Sequence, residues 1–232
     1  MIEPTLLATK LRGYRKADFH THSSFSDGED SIEELVKAAI DLRLEALAIT
    51  DHVRRETNWL DDYVKEIDRI RGVYGKKIDI YSGIEAKAID LEGNIDARPE
   101  FGDKVDIILG AVHRIPTAKD EYMRTEDVRR DKETALRLWM NATSALIRNP
   151  KVTILAHPCA YLKKADMTLP KEMKALLATE AARNRKIFEK NLKYDTPDKE
   201  FLKLLEEKNV LMITGSDAHS ADELCGFWAL KK

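Results

Sequence analysis

The stretch DFHTHSSFSDG, residues 18–28, decides how the chain is read. A short apolar run, 17–20, enters it as a strand and ends on His20 and His22. Two residues apart on extended backbone, those imidazoles project from the same side of a sheet. Asp27 and Gly28 then supply turn chemistry. Ser31 follows with Glu34 three positions on, the reciprocal pattern that caps a helix. Ile32, Leu35, Val36, Ala39 and Ile40 form one apolar face of that helix, which is predicted to run to about Leu44. A strand, a polar turn carrying His and Asp, and an amphipathic helix together make one βα unit.

The unit recurs along the chain. Strand candidates are 17–20, 46–50, 78–83, 105–111, 153–157, 186–189 and 210–214; helix candidates are 31–44, 60–74, 125–148, 171–183 and 198–208. Alternation without a break in composition predicts a parallel sheet within one domain. Seven strands, one fewer than the usual eight, make the expected fold an α/β class, distorted seven-stranded (β/α) barrel of TIM-like type. Residues 1–16 read as an N-terminal extension and 17–232 as a single catalytic domain. The polar run 90–102, containing Pro and Gly, reads as a mobile flap.

All six histidines fall at strand ends or in the turns just beyond: His20, His22, His52 (ITDH), His113 (GAVHR), His157 (AHP) and His219 (GSDAH). Asp27, Glu85 (GIE) and Asp217 accompany them. Taken singly, each motif has an ordinary structural meaning. SDG is a turn, Asp51 or Asp217 can cap a helix, and a histidine before Pro158 can simply pack. Jointly they mean more, because the strand ends of a parallel barrel converge on one rim. Nine imidazoles and carboxylates exceed the four ligands of a tetrahedral ion. The expectation is a site for two or three divalent ions; nitrogen and oxygen donors without thiolate suit Zn, Mn or Fe.

Composition narrows the partners. Lys+Arg 39 against Asp+Glu 41 leaves a net charge of −2, no footprint for stable nucleic-acid binding. No apolar run is long enough to span a membrane. Cys159 and Cys225 form no CxxC pattern, so no disulfide and a cytoplasmic location are expected. Trp59, Trp139 and Trp228 are expected in the core or an interface.

With HTHSSFSDG, ITDH, GIEA, GAVHR, AHP and GSDAH all present, the sequence resembles the PHP (polymerase and histidinol phosphatase) family from about Asp18 onward. The resemblance implies a trinuclear centre. His20, His22, Glu85 and Asp217 would hold one metal, and Glu85 would bridge to a second held by His113 and His157. Asp27, His52 and His219 would hold the third. Three dications against three carboxylates leave a charge of about +3, matched to a phosphate dianion. The implied activity is metal-dependent hydrolysis of a small phosphomonoester (histidinol phosphate, a nucleotide or a sugar phosphate) by a metal-bridging hydroxide. Glu85, His52, Asp217, His219 and Arg114 are the catalytic candidates. Arg114 ranks as phosphate clamp ahead of Arg54, Arg55, Lys163 and Lys164.

Alternatives are an exonuclease or phosphodiesterase on nucleic-acid ends and a non-catalytic metal-binding regulatory module. Amidohydrolases also use HxH, but SDG, ITDH and SDAH together disfavour them. One departure stands out: the family's acidic-Asn-Asn element reads here as FEKNLKY, 188–194, with Glu189 and Asn191 as its counterparts and Lys190 between them.

Overall fold

Alternation along the strands sorts residues between two buried layers, and that sorting builds the barrel. A computed structural model describes residues 4–224. Its elements are α1 (Pro4–Gly13), β1 (Ala17–Thr21), α2 (Ile32–Asp41), β2 (Ala46–His52), α3 (Leu60–Tyr74), β3 (Asp79–Lys87) and a 3-10 turn (Pro99–Asp103). There follow β4 (Ile107–Ala111), β5 (Pro116–Ala118), β6 (Glu121–Tyr122), α4 (Thr125–Arg130), α5 (Lys132–Arg148), β7 (Ile154–Leu155) and α6 (Ala160–Lys164). The last are α7 (Lys171–Arg183), β8 (Ile187–Asn191), α8 (Lys199–Glu207) and β9 (Met212–Gly215).

Seven strands pair in the order β1-β2-β3-β4-β7-β8-β9, every pair parallel, while β5 and β6 form a separate antiparallel hairpin. Just beyond the strand ends β9 returns to β1: Asp217 N donates to His20 O at 2.8 Å and His22 N to Ala218 O at 2.9 Å. The sheet is therefore a nearly closed seven-stranded barrel, as the alternation predicts.

Ala46 and Ala48 join Phe19, Tyr81, Ile107, Leu109, Ile154, Ile187 and Ile213 in a cluster drawn from all seven strands. Leu47 and Ile49, one residue out of phase, pack instead with Leu35, Val36, Tyr63 and Ile67 of the surrounding helices. Burial on both faces is the mark of a parallel sheet inside a helical shell. The segment read as an N-terminal extension supplies α1, whose Leu7 and Leu11 are 0% and 3% exposed within the inner cluster.

Helix boundaries follow local chemistry. Ser31 and Glu34 form the expected capping box, but α2 stops at Asp41 because Arg43 takes a left-handed φ of 58°. The continuous helix expected over 125–148 is broken at Asp131, whose carboxylate accepts Thr134 N at 3.0 Å and starts α5 afresh. The 90–102 run is anchored rather than free. Asp90 accepts from Glu92 N, Asn94 N and Asn94 Nδ2 at 2.9, 3.0 and 2.7 Å, and Phe101 is 1% exposed. Gly93 sits at φ +92°, where an added Cβ would lie 2.5 Å from Ala145 O.

Tyr63 clamps α3 to the barrel by donating to Ile49 O at 2.6 Å and accepting from Gly83 N at 3.0 Å. Tyr63→Phe leaves those buried groups without that partner and should cost about 1–3 kcal/mol; urea unfolding of the two proteins measures it. Trp139 is buried, as expected, and Cys159 is a free thiol. Cys225 and Trp228 lie outside the described residues. No described helix is long and apolar enough to cross a membrane.

Candidate metal centre

Strand register brings the nine residues together. In the β2–β3 ladder His52 stands opposite Glu85. A register irregularity between Asp18 and Thr21 interrupts the β1 ladder where it delivers His20, the kind of break that re-aims a side chain. His113 follows β4, His157 follows β7, and Asp217 and His219 follow β9. His157 and Asp217 have positive φ, 28° and 56°, a region non-glycine residues seldom occupy and one that is enriched at functional sites. Backbone hydrogen bonds hold both, from His157 N to Glu189 and from Asp217 N to His20 O.

The donor atoms fall into three adjoining groups. In the first, His22 Nε2 lies 3.1 Å from His20 Nε2 and 3.0 Å from Asp217 Oδ1. His20 Nε2 is 3.5 Å from that oxygen, and Glu85 Oε2 is 3.5 and 3.8 Å from the two imidazoles. In the second, Glu85 Oε1 is 2.8 Å from His157 Nε2 and 3.1 Å from His113 Nε2, which are 3.2 Å apart. In the third, Asp27 lies 3.7 Å from His52 Nε2 and 3.5 Å from His219 Nε2. The His22 ring stacks beside both, with centroids 4.3 and 4.4 Å away. His52 Nδ1, 2.9 Å from Glu85 Oε2, links this group to the others.

These residues fit divalent ions. A tetrahedral ion with bonds of about 2.0–2.2 Å spaces its ligand atoms roughly 3.3 Å apart, and the first group's measured edges run from 3.0 to 3.8 Å. Two buried polar atoms in the cluster, His22 Nδ1 and Glu85 Oε2, have no aligned hydrogen-bond partner. Buried polar atoms are normally satisfied, and Glu85 Oε2, which faces His20, His22 and His52, marks a place for a ligand.

Electrostatics agrees. Burial works against a proton on His20, but Glu189, Glu85 and Asp217 outweigh it and hold its pKa well above the usual imidazole value. Burial lowers His22 to about 4 despite its bond to Asp217. Burial also opposes the charge on Glu85, yet His113 and His20 hold that carboxyl well below its ordinary range. Asp217 is lowered in the same way, burial being overcome by His20 and His22.

The sequence model of the PHP domain matches residues 18–194, most of the chain and most of the residues just described. The chain belongs to the PHP domain family. Membership puts it among the metal-dependent phosphoesterases. Two solved structures share the architecture of this PHP domain. One is a Listeria monocytogenes protein provisionally assigned as a histidinol phosphatase, with TM-score 0.70 and 16% identity over 94% of this chain and 100% of that one. The other is the Lactococcus lactis histidinol phosphate phosphatase complexed with Zn, L-histidinol and phosphate, with TM-score 0.64 and 21% identity over 93% of each chain. A chain of archaeal ribonuclease P with mature tRNA is similar at TM-score 0.50 and 18% identity, over 88% of this chain and 74% of that one. Among curated proteins, none matches.

Around the nine residues of this PHP domain, several side chains depart from the sequence reading. Arg114 is exposed and its guanidinium rests on the Tyr122 ring, 4.8 Å from the centroid. Arg55 is tied to Asp96 at 3.1 Å and to Asp120 at 2.5 Å. Lys163 is turned to Tyr194 O at 2.8 Å. Arg54 instead lines a cavity of about 510 Å3 beside the cluster, together with Phe25, Trp59, Lys87, His52 and Glu85. Trp59 is thus half-buried at the site, packed on Phe25 with ring centroids 5.6 Å apart.

Glu189 is fully buried and bonds to His20 Nδ1 at 3.0 Å. The spacing Glu189-x-Asn191 is the sequence signal that two inward polar groups end β8; the exposed Lys190 lies between them.

Proposed function

We propose that this PHP domain is a phosphatase acting on a small phosphomonoester. The reading is carried by three adjoining nitrogen and oxygen donor groups, of which Asp27, His52, Glu85 and His113 line a cavity of about 510 Å3. That volume suits a small ligand. A net charge of −2 offers no basic track for a polymer. The Lactococcus lactis protein, which holds Zn, L-histidinol and phosphate on the same fold, adds support.

In this reading His20, His22, Glu85 and Asp217 hold one divalent ion, and Glu85, His113 and His157 hold a second. Asp27, His52 and His219 form the place for a third. Zn, Mn or Fe bound there supplies an acidified water and neutralises charge on the phosphate oxygens.

The chain's own groups do the rest. Glu85 gives one oxygen to each of the first two groups and so fixes their spacing. His52 faces Glu85 with Nδ1 and Asp27 with Nε2, and thereby orients the third group against the first two. Asp217 and His219 set the β9 side of the centre. Arg54, exposed and without an acidic partner among the described residues, is placed to bind a phosphate oxygen. Phe25 and Trp59 keep one wall of the cavity apolar.

The test is phosphate release by protein loaded with Zn2+, Mn2+ or Fe2+. The panel is histidinol phosphate, nucleotides, sugar phosphates, bis(4-nitrophenyl) phosphate and short single-stranded nucleic acids. Monoesters are expected to turn over faster than diesters. A preference for diesters or nucleic-acid ends would favour the nuclease reading. No turnover by fully loaded protein would favour a regulatory module.

A further inference from the structure

Glu189 sits where the first two donor groups meet, 0% exposed and with its two oxygens divided between them. Oε1 lies 3.0 Å from His20 Nδ1 and accepts from Asn191 Nδ2 at 2.9 Å. Oε2 accepts the backbone N–H of His157. We propose that Glu189 is a positioning carboxylate that fixes His20 and His157 together, and with them the separation of the first two metal positions. The proposal rests on the metal-binding part of the reading above.

Three observations carry it. A carboxylate beside Nδ1 selects the His20 tautomer with its proton on that nitrogen. The Nε2 lone pair is then left facing His22, Asp217 and Glu85, at 3.1, 3.5 and 3.5 Å.

The second observation concerns His157. Its backbone adopts φ 28°, and the bond from its N–H to Glu189 holds that conformation while Nε2 stands 2.8 Å from Glu85.

The third is the space kept for the carboxylate. Gly215 pairs with Asn191 across the β8–β9 ladder. An added Cβ at Gly215 would lie 2.0 Å from Glu189 Oε1 and 2.7 Å from His20 Cβ, so any larger residue would push the two apart.

Glu189→Gln tests the idea at nearly constant volume. A carboxamide has one acceptor end and one donor end. In either orientation its NH2 faces a donor, at His20 Nδ1 or at His157 N, and one anchor fails. Zn2+ affinity is measured by competition with a chromophoric chelator, and ligand geometry by the absorption bands of Co2+-loaded protein.

The variant is expected to bind Zn2+ about 10–100-fold more weakly, with altered Co2+ bands and native circular dichroism. Wild-type affinity together with unchanged Co2+ bands would overturn the proposal. Should the variant not fold, 113Cd–15N couplings in the loaded wild type decide. Coupling to His20 through Nε2, with a slowly exchanging proton on Nδ1, is expected; coupling through Nδ1 overturns it. A wild type that takes up no metal would overturn the metal-binding reading instead, and is recognisable as such.

Discussion

Glu85→Ala is expected to abolish phosphate release and to strip the protein of metal while leaving it folded. The size of the effect follows from position. One Glu85 oxygen stands 2.8 and 3.1 Å from His157 and His113; the other stands 2.9, 3.5 and 3.8 Å from His52, His20 and His22. Losing a group that merely supports a metal ligand costs about 10–100-fold. Losing a carboxylate shared by two groups should cost more than that. The fold should survive, because Glu85 lies two residues before the end of β3 and makes no part of the apolar clusters. Metal content, circular dichroism and the rate on the best monoester are the measurements. His20→Ala should behave alike, and full activity with full metal content in both variants would sink the assignment.

Chelation should lower the melting temperature, and by more at about pH 8 than at about pH 6. Ligand present at 100 times its Kd stabilises the folded state by ~2.7 kcal/mol. For a chain of 232 residues that corresponds to about 5–11 °C.

The pH trend comes from the imidazoles. His20 has a raised pKa in the folded, metal-free protein because its carboxylate neighbours outweigh burial. The stability its proton contributes is complete below about 6.5 and is lost as pH rises through the raised value. Metal binding needs the neutral ring and so strengthens over the same interval. The metal-free form weakens while the loaded form gains, and the gap widens. Melting curves with and without chelator at the two pH values check this; a gap that narrows with pH would contradict it.

The barrel was legible because its strands are short β-branched runs and its helices carry one apolar face. α3 and α7 have the expected bounds, and all seven strands form where alternation places them. Features set by distant partners were not legible. Arg55 looks free beside His52 until Asp96 and Asp120, far along the chain, close on it. The 90–102 run is polar enough to suggest a flap, yet Asp90 satisfies the backbone locally and Phe101 buries itself. The charge-rich stretch around Asp131 gives no apolar break to announce a new helix start. For the centre, the motifs brought nine residues under suspicion, and the structure gathers them. The Glu189 bond to His20 spans 169 positions, a distance over which spacing is silent.

The junction of β9 with β1 also bears on how the protein is made. His20 and His22 are synthesised nearly two hundred residues before Asp217 and His219. An N-terminal half chain holds imidazoles but not the first group's full set of donors, so during synthesis it can offer an ion only a partial and weaker grip. Full loading must wait for the strand that completes the ring. In the proposed reading, an ion held in the first group would work as a clasp between the two ends of the barrel and oppose the same separation that would begin its unfolding.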